Sequence, residues 1–162
     1  MFPRDWVSRT AAPPTPGPCV IFDLDGVLSD AAGRQHFLEG PGWQDWDAFF
    51  EACGDDPLVS ETAMLLQLLD PQLGIVLLTA RPRRVLSETL SWLTRYRLRW
   101  DLLIMRQHGD YSRAYEYKHH SLARLRRLGW EVRLAFEDDP RNLAMFRGEG
   151  VPCVYIHSGY YE

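Results

Sequence analysis

Apolar runs at residues 20–22, 74–79, 102–105, 132–136 and 151–156 are the first regularity in the chain. Each is short, rich in β-branched, aliphatic or aromatic residues, and set off by glycine, proline or charge. That is the pattern of strands buried on both faces. Between them the period lengthens. Leu86, Leu90 and Leu93, joined by Val85 and Tyr96, mark one face of a helix that Arg81-Pro82 opens, proline being well placed in a first helical turn. Leu122, Leu125 and Leu128 mark another over 115–128. A helix over 61–69 takes Ser60 as its N-cap and has Pro71 beyond its end. A short helix over 140–147 follows Asp139-Pro140, a favoured cap and first position. The alternation predicts an α/β fold, a parallel sheet of about five strands with helices on both faces.

Two stretches stand outside that alternation. Residues 1–18 are proline-rich and aperiodic, and read as a loose lead-in to a single domain over 19–162. Residues 31–59 are broken by Gly33, Gly40, Pro41, Gly42, Gly54 and Pro57, and read as a small insert folding over the edge of a site. Its aromatic run at 43–50 suits a short helix. Composition adds limits. With 162 residues, 46% hydrophobic and 25% charged, the chain is an ordinary globular one, long enough for a real core. No apolar run approaches a membrane span and no signal-peptide core is evident, so no membrane partner is expected. Cys19, Cys53 and Cys153 are far apart with no C-x-x-C, which argues against zinc or disulfides and for a reducing, cytoplasmic setting. A net charge of −4 supplies no global field for nucleic acid, leaving only local basic patches.

The strand ends carry the chemistry. The first closes in Asp23-Leu24-Asp25-Gly26. Ligands of open α/β sheets bind at the carboxyl ends of strands. Asp23 and Asp25 share a face of a regular strand, and Gly26 permits a tight turn that brings backbone N–H groups to a ligand. Two acids on such a turn suit a hard cation such as Mg²⁺. The second strand ends in Thr79 and Arg81, the fourth in Glu137 and Asp138, and Lys118 lies early in the helix after the third. Singly, each has a plainer use: Thr79 as a cap, Arg81 and Lys118 as solvated surface. Capping accounts for Asp139, and leaves Glu137 and Asp138 unexplained.

In this order the residues resemble the motifs of the haloacid dehalogenase-like (HAD) phosphohydrolases. Asp23-Leu24-Asp25-Gly26 matches D-x-D-G, Thr79 the Thr or Ser closing a strand, and Lys118 the lysine. Glu137-Asp138, or in the next register Asp138-Asp139, matches the acidic pair. The resemblance implies a Rossmann-like sheet with a minimal cap insert and a Mg²⁺-dependent phosphomonoester hydrolase. It implies Asp23 as nucleophile forming an aspartyl-phosphate, and Asp25 as acid and then base. Thr79 and Lys118 would hold the phosphoryl group, and Mg²⁺ would sit on Asp23, the Asp25 carbonyl and Asp138, with Glu137 alongside.

A closer resemblance is to the 3′-phosphatase domain of bacteriophage-type polynucleotide kinase-phosphatases. It rests on residues 45–53, Thr79-Ala80-Arg81, Met105-Arg106 and Gly109-Asp110-Tyr111, with residues 148–153 near the end. It implies nucleic-acid 3′ ends as substrate, with Arg81, Arg106 and Gly26 as substrate contacts. Without a G-x-x-x-x-G-K-[ST] run, a phosphatase lacking a kinase half is expected. The chain departs from that family at Ser112 and Ala114 and after its acidic pair. With the net negative charge, these departures favour a rival, a HAD phosphatase of nucleotides or a small metabolite. Rivals of another class are a receiver-like phospho-acceptor and a non-catalytic module, which a D-x-D-G and the full motif set disfavour. Trp43, Trp46, Phe49 and Phe50 offer base stacking, although packing the insert onto the sheet is the preferred reading. His119 and His120 are expected at the surface without a role.

Overall fold

A computed structural model describes residues 1–161; Glu162, the last residue of the expected domain, lies outside the described residues. Six strands form one sheet: β1 (Trp6–Ser8), β2 (Pro18–Phe22), β3 (Gly74–Pro82), β4 (Leu102–Arg106), β5 (Glu131–Glu137) and β6 (Cys153–Tyr155), in the order β1-β4-β3-β2-β5-β6. β2 to β6 run parallel and are the expected strands; β1 adds an antiparallel edge beside β4. The helices are α1 (Trp46–Glu51), α2 (Ser60–Leu68), α3 (Leu86–Arg95), α4 (Ala114–Arg127) and α5 (Pro140–Gly148). α2 and α3 bury Leu66, Trp92 and Leu93 against one face of the sheet; α4 and α5 bury Leu122, Leu125 and Phe146 against the other. Each such side chain contributes roughly 1.5–3 kcal/mol on burial.

Three expectations are corrected. The lead-in is docked rather than loose. Arg124 grips both Asp5 carboxylate oxygens at 2.6 and 2.9 Å, Arg83 donates to the Asp5 carbonyl at 2.9 Å, and Trp6 is buried under the Arg124 guanidinium. Proline content masked a strand of only three residues. Pro82 does not open a helix: β3 runs on to it through a register shift after Thr79, and a 3₁₀ turn (Arg83–Val85) precedes α3. Ser60 is the first helical residue and makes no cap, its hydroxyl facing Glu61 instead.

The insert holds α1, capped by the Asp45 side chain on the Ala48 amide at 2.9 Å, between 3₁₀ turns at Ala32–Phe37 and Ala52–Asp55. Phe49 is buried and Phe50 half-buried, as packing requires, but Trp43 is 94% exposed and Trp46 47%. At the centre of the sheet Phe22 of β2 stacks on Phe136 of β5 with centroids 4.5 Å apart. The residues that follow these rings, Asp23 and Glu137, therefore emerge side by side at the carboxyl edge.

Candidate active site

After Phe22 the chain turns at once. Gly26 takes φ +81°, and the amides of Val27, Leu28 and Ser29 all reach back to the Leu24 carbonyl. A Cβ at Gly26 would stand 2.0 Å from Oδ2 of Asp138, so this position must be glycine for the turn to lie against that acid. Asp23, Glu137 and Asp138 are all buried, with one carboxylate oxygen from each lying within 4.8 Å of the others. Lys118, 1% exposed, reaches between them and pairs with Oδ2 of Asp23 at 3.1 Å and with Glu137. Lys118 is thus no surface lysine: burial opposes its charge, yet Asp23 and Glu137 hold it protonated above its usual range. His119 and His120 next to it are at the surface, His119 facing Glu149 at 3.1 Å.

Three acids share one ammonium, and the imbalance appears in their acidity. Burial, reinforced by Asp23, raises Glu137 well above the carboxylate range. Burial raises Asp23 too, although Lys118 opposes the shift. Asp138 is pushed up to about 8 by burial and by the Asp23 charge. Neither of its carboxylate oxygens has a hydrogen-bond partner of normal geometry, although the Ser158 hydroxyl is near enough to favour ionisation. Orphaned buried oxygens beside two further carboxylates are the donor set of a hard divalent cation, and Mg²⁺ fits it. Asp139 takes no part in this cluster: it caps α5 through the Arg141 amide at 2.9 Å and binds the Arg141 guanidinium. Of the two registers for the acidic pair, the structure assembles Glu137 with Asp138.

Asp25 faces away from this group into a second one. Arg81 reaches Oδ1 of Asp25 at 2.7 Å and Arg34 reaches it at 2.6 Å. Burial would raise the Asp25 pKa, but Arg81 and then Arg34 overcome it and bring it down to about 2. Arg34 also grips Asp56 at 2.8 and 2.6 Å, donates to the Phe49 carbonyl at 2.8 Å and lies over the Phe49 ring at 4.3 Å. Ser29 joins Asp56 to Arg81, and Thr89 receives the remaining Arg81 bond at 3.2 Å. Every guanidinium nitrogen of Arg81 is engaged inside the protein. Thr79 is buried at the same strand end, its hydroxyl accepting from the Arg81 amide at 3.1 Å. Arg106 ends β4 at the neighbouring position of the sheet edge.

Arg34 and Asp56 were not singled out by sequence reasoning. They sit in an insert without periodicity, where Asp56-Pro57 reads as a turn and Arg34 as one charge among several. The only available signal is that they bracket the aromatic run that Arg34 packs under.

A family model for the polynucleotide kinase PNKP phosphatase domain matches residues 17–161. Two solved chains, from structures titled Pnkp1/Rnl/Hen1 RNA repair complex and Pnkp1/Rnl/Hen1 complex, are 26% and 27% identical to this one, each with a TM-score of 0.71. The matches cover 91% and 93% of this chain but 45% and 48% of those chains, so the chain spans a little under half their length. A subfamily IA hydrolase of the HAD superfamily from Geobacter sulfurreducens shares the fold at 18% identity and a TM-score of 0.51, covering 92% of this chain and 90% of its own. No curated protein matches.

Proposed function

The chain belongs to the PNKP phosphatase-domain family of HAD phosphatases, and on that premise we propose that it removes 3′-phosphates from polynucleotide ends. The observation that carries the reading is the Lys118 ammonium set between Asp23 and Glu137 beside the unpartnered Asp138 carboxylate, in a chain that matches this family over residues 17–161. The chemistry supports a phosphorylated substrate, and the family match favours a polynucleotide end.

In this reading Asp23 attacks phosphorus, the phosphorus–ester oxygen bond breaks, and an aspartyl-phosphate forms. Mg²⁺, held by Asp23, Asp138 and the Asp25 carbonyl with Glu137 alongside, would supply charge to offset repulsion between the nucleophile and the phosphate. Lys118 neutralises Asp23 and the incoming oxygens, and the Thr79 hydroxyl and the amides around Gly26 orient them. Asp25 protonates the leaving oxygen, then takes a proton from the water that hydrolyses the intermediate. Two arginines hold Asp25 ionised in the resting site, which suits the second, basic step. The first step requires that Asp25 first take up a proton from solvent, as the arriving phosphoryl group draws guanidinium charge away from it. Arg34 and Arg81 therefore act on Asp25, and Arg81 is turned to Asp25, Ser29 and Thr89 rather than to substrate until that exchange occurs.

The three buried, unpaired cysteines support a cytoplasmic setting. Among the described residues no helix is long and apolar enough to cross a membrane. A second reading, a nucleotide or small metabolite as substrate, is favoured by the net charge of −4. Phosphate release from a 3′-phosphorylated oligonucleotide, a 5′-phosphorylated one and a nucleoside monophosphate, each with Mg²⁺ and with chelator, separates the two. Mg²⁺-dependent preference for the 3′ end is expected. Activity on the small ester alone would discard the polynucleotide substrate. Asp23→Asn is expected to remove turnover while keeping the fold; retained activity would refute the nucleophile.

A further inference from the structure

Three arginines stand at the carboxyl edge of the sheet, and they differ in what they hold. Arg34 and Arg81 are locked on Asp25, Asp56, Ser29 and Thr89. Arg106 has no such partner. Its Nε is buried without a hydrogen bond, and among the described residues it makes no ion pair. The guanidinium instead lies over the ring of Tyr117, 5.4 Å from its centroid. Stacking on a ring occupies the face of a guanidinium and leaves its edge donors pointing outward, the arrangement that takes a phosphate with two parallel bonds. Asp110 feels the charge of Arg106 without pairing with it, and its Oδ1 is held by the Ser112 amide and hydroxyl. A positioned arginine with no ion pair and a buried N–H lacking an acceptor is suited to an anion from outside.

Its place says which anion. Met105 pairs with Thr79 and Arg106 with Pro82, so Arg106 stands beyond the threonine of the phosphoryl site, on the side of β4. Tyr117, which supports it, precedes Lys118 on α4 and points to the β4 side. The ion pair on Asp23 is made by Lys118, whereas Arg106 lies over Tyr117. Arg106 is thus next to the reacting centre rather than in it.

We infer that Arg106 binds a second phosphate of the substrate, the phosphodiester one nucleotide inward from the reacting 3′-phosphate, and so selects chain ends over mononucleotides. This rests on the 3′-end reading above, and deepens it. The departures at Ser112 and Ala114 leave it intact, because neither supplies the guanidinium or its support.

The test compares a nucleoside 3′-monophosphate, which lacks a second phosphate, with a nucleoside 3′,5′-bisphosphate and a 3′-phosphorylated oligonucleotide. Wild-type enzyme is expected to prefer the latter two through KM. Arg106→Ala should lower the ratio of kcat/KM for bisphosphate over monophosphate by about 10–100-fold, the effect of one charge-assisted pair. Arg106→Lys, which keeps the charge without the fork, should fall between. Equal loss on both substrates would put Arg106 on the reacting phosphate and overturn the inference, as would an unchanged ratio. Wild-type enzyme that hydrolyses all three with equal kcat/KM leaves the 3′-end reading standing and removes the second subsite. Wild-type enzyme that hydrolyses none of them removes both.

Discussion

Asp138→Asn should make the metal-free protein more stable while removing its response to Mg²⁺. Asp138 is 1% exposed, its oxygens have no hydrogen-bond partner of normal geometry, and its pKa rises from the usual 3.8 to about 8. An acid with a raised folded pKa keeps a proton that the unfolded chain releases, so stability falls as pH rises from about 4 to about 8. At pH 7.5 the interval above 3.8 sets a ceiling of about 5 kcal/mol at 1.36 kcal/mol per unit. Local relaxation and water entry reduce such penalties, and a net gain of about 1.5–2 kcal/mol is expected from the neutral amide. For a protein of this size that is a rise in Tm of about 3–8 °C. The assay is thermal unfolding in chelator and in Mg²⁺ at pH 7.5 and pH 4. The Asn variant should melt higher in chelator at pH 7.5, and the difference should shrink near pH 4, where the folded carboxyl is protonated and the unfolded one is close to half protonated. Mg²⁺ should raise the wild-type Tm and leave the variant unchanged. A variant that melts at or below wild type in chelator at pH 7.5, or an equal Mg²⁺ response in both, would refute the view of Asp138 as an uncompensated ligand.

Arg34→Ala should destabilise the fold by about 3–5 kcal/mol, since it leaves two buried carboxylates, Asp25 and Asp56, with Arg81 as their one remaining cation; denaturant unfolding reads this directly, and a loss under about 1 kcal/mol would mean the network carries little. Gly26→Ala sets a methyl 2.0 Å from the Asp138 carboxylate on a residue with φ +81°, and should weaken Mg²⁺ affinity about 10–100-fold, measured as the Mg²⁺ dependence of Tm. Arg124→Ala releases Asp5, and because both side chains are roughly a third exposed the cost should be only about 1 kcal/mol. Hydrogen exchange should speed up at Trp6–Ser8 while β2 to β5 keep their protection.

The parallel strands were legible because β2, β3 and β4 are buried on both faces along most of their length, and β5 over its last three residues, and a strand in that position must be apolar almost throughout. The apolar run at 20–22 ending in Asp23-Leu24-Asp25-Gly26 therefore announced a site at a strand end. The cap at Asp139 was legible too, because Asp-Pro serves a purely local need. β1 was not: three residues at a sheet edge carry too little pattern, and their hold comes from Arg124 and Arg83, far away in sequence.

Sequence alone thus determined the strand succession, the acidic turn after the first strand and the resemblance that picked out Thr79 and Lys118. Tertiary structure decided which acid stands beside Asp138, because Glu137 leaves β5 next to Asp23 while Asp139 is already engaged by α5. It also decided that Arg34 and Asp56 join the site, and that each Arg81 nitrogen is bonded inside the protein while Nε of Arg106 is not. The reason is physical. Strand burial and helix caps depend on near neighbours in the chain, whereas the state of a charge depends on every group that folding brings within a few ångströms of it.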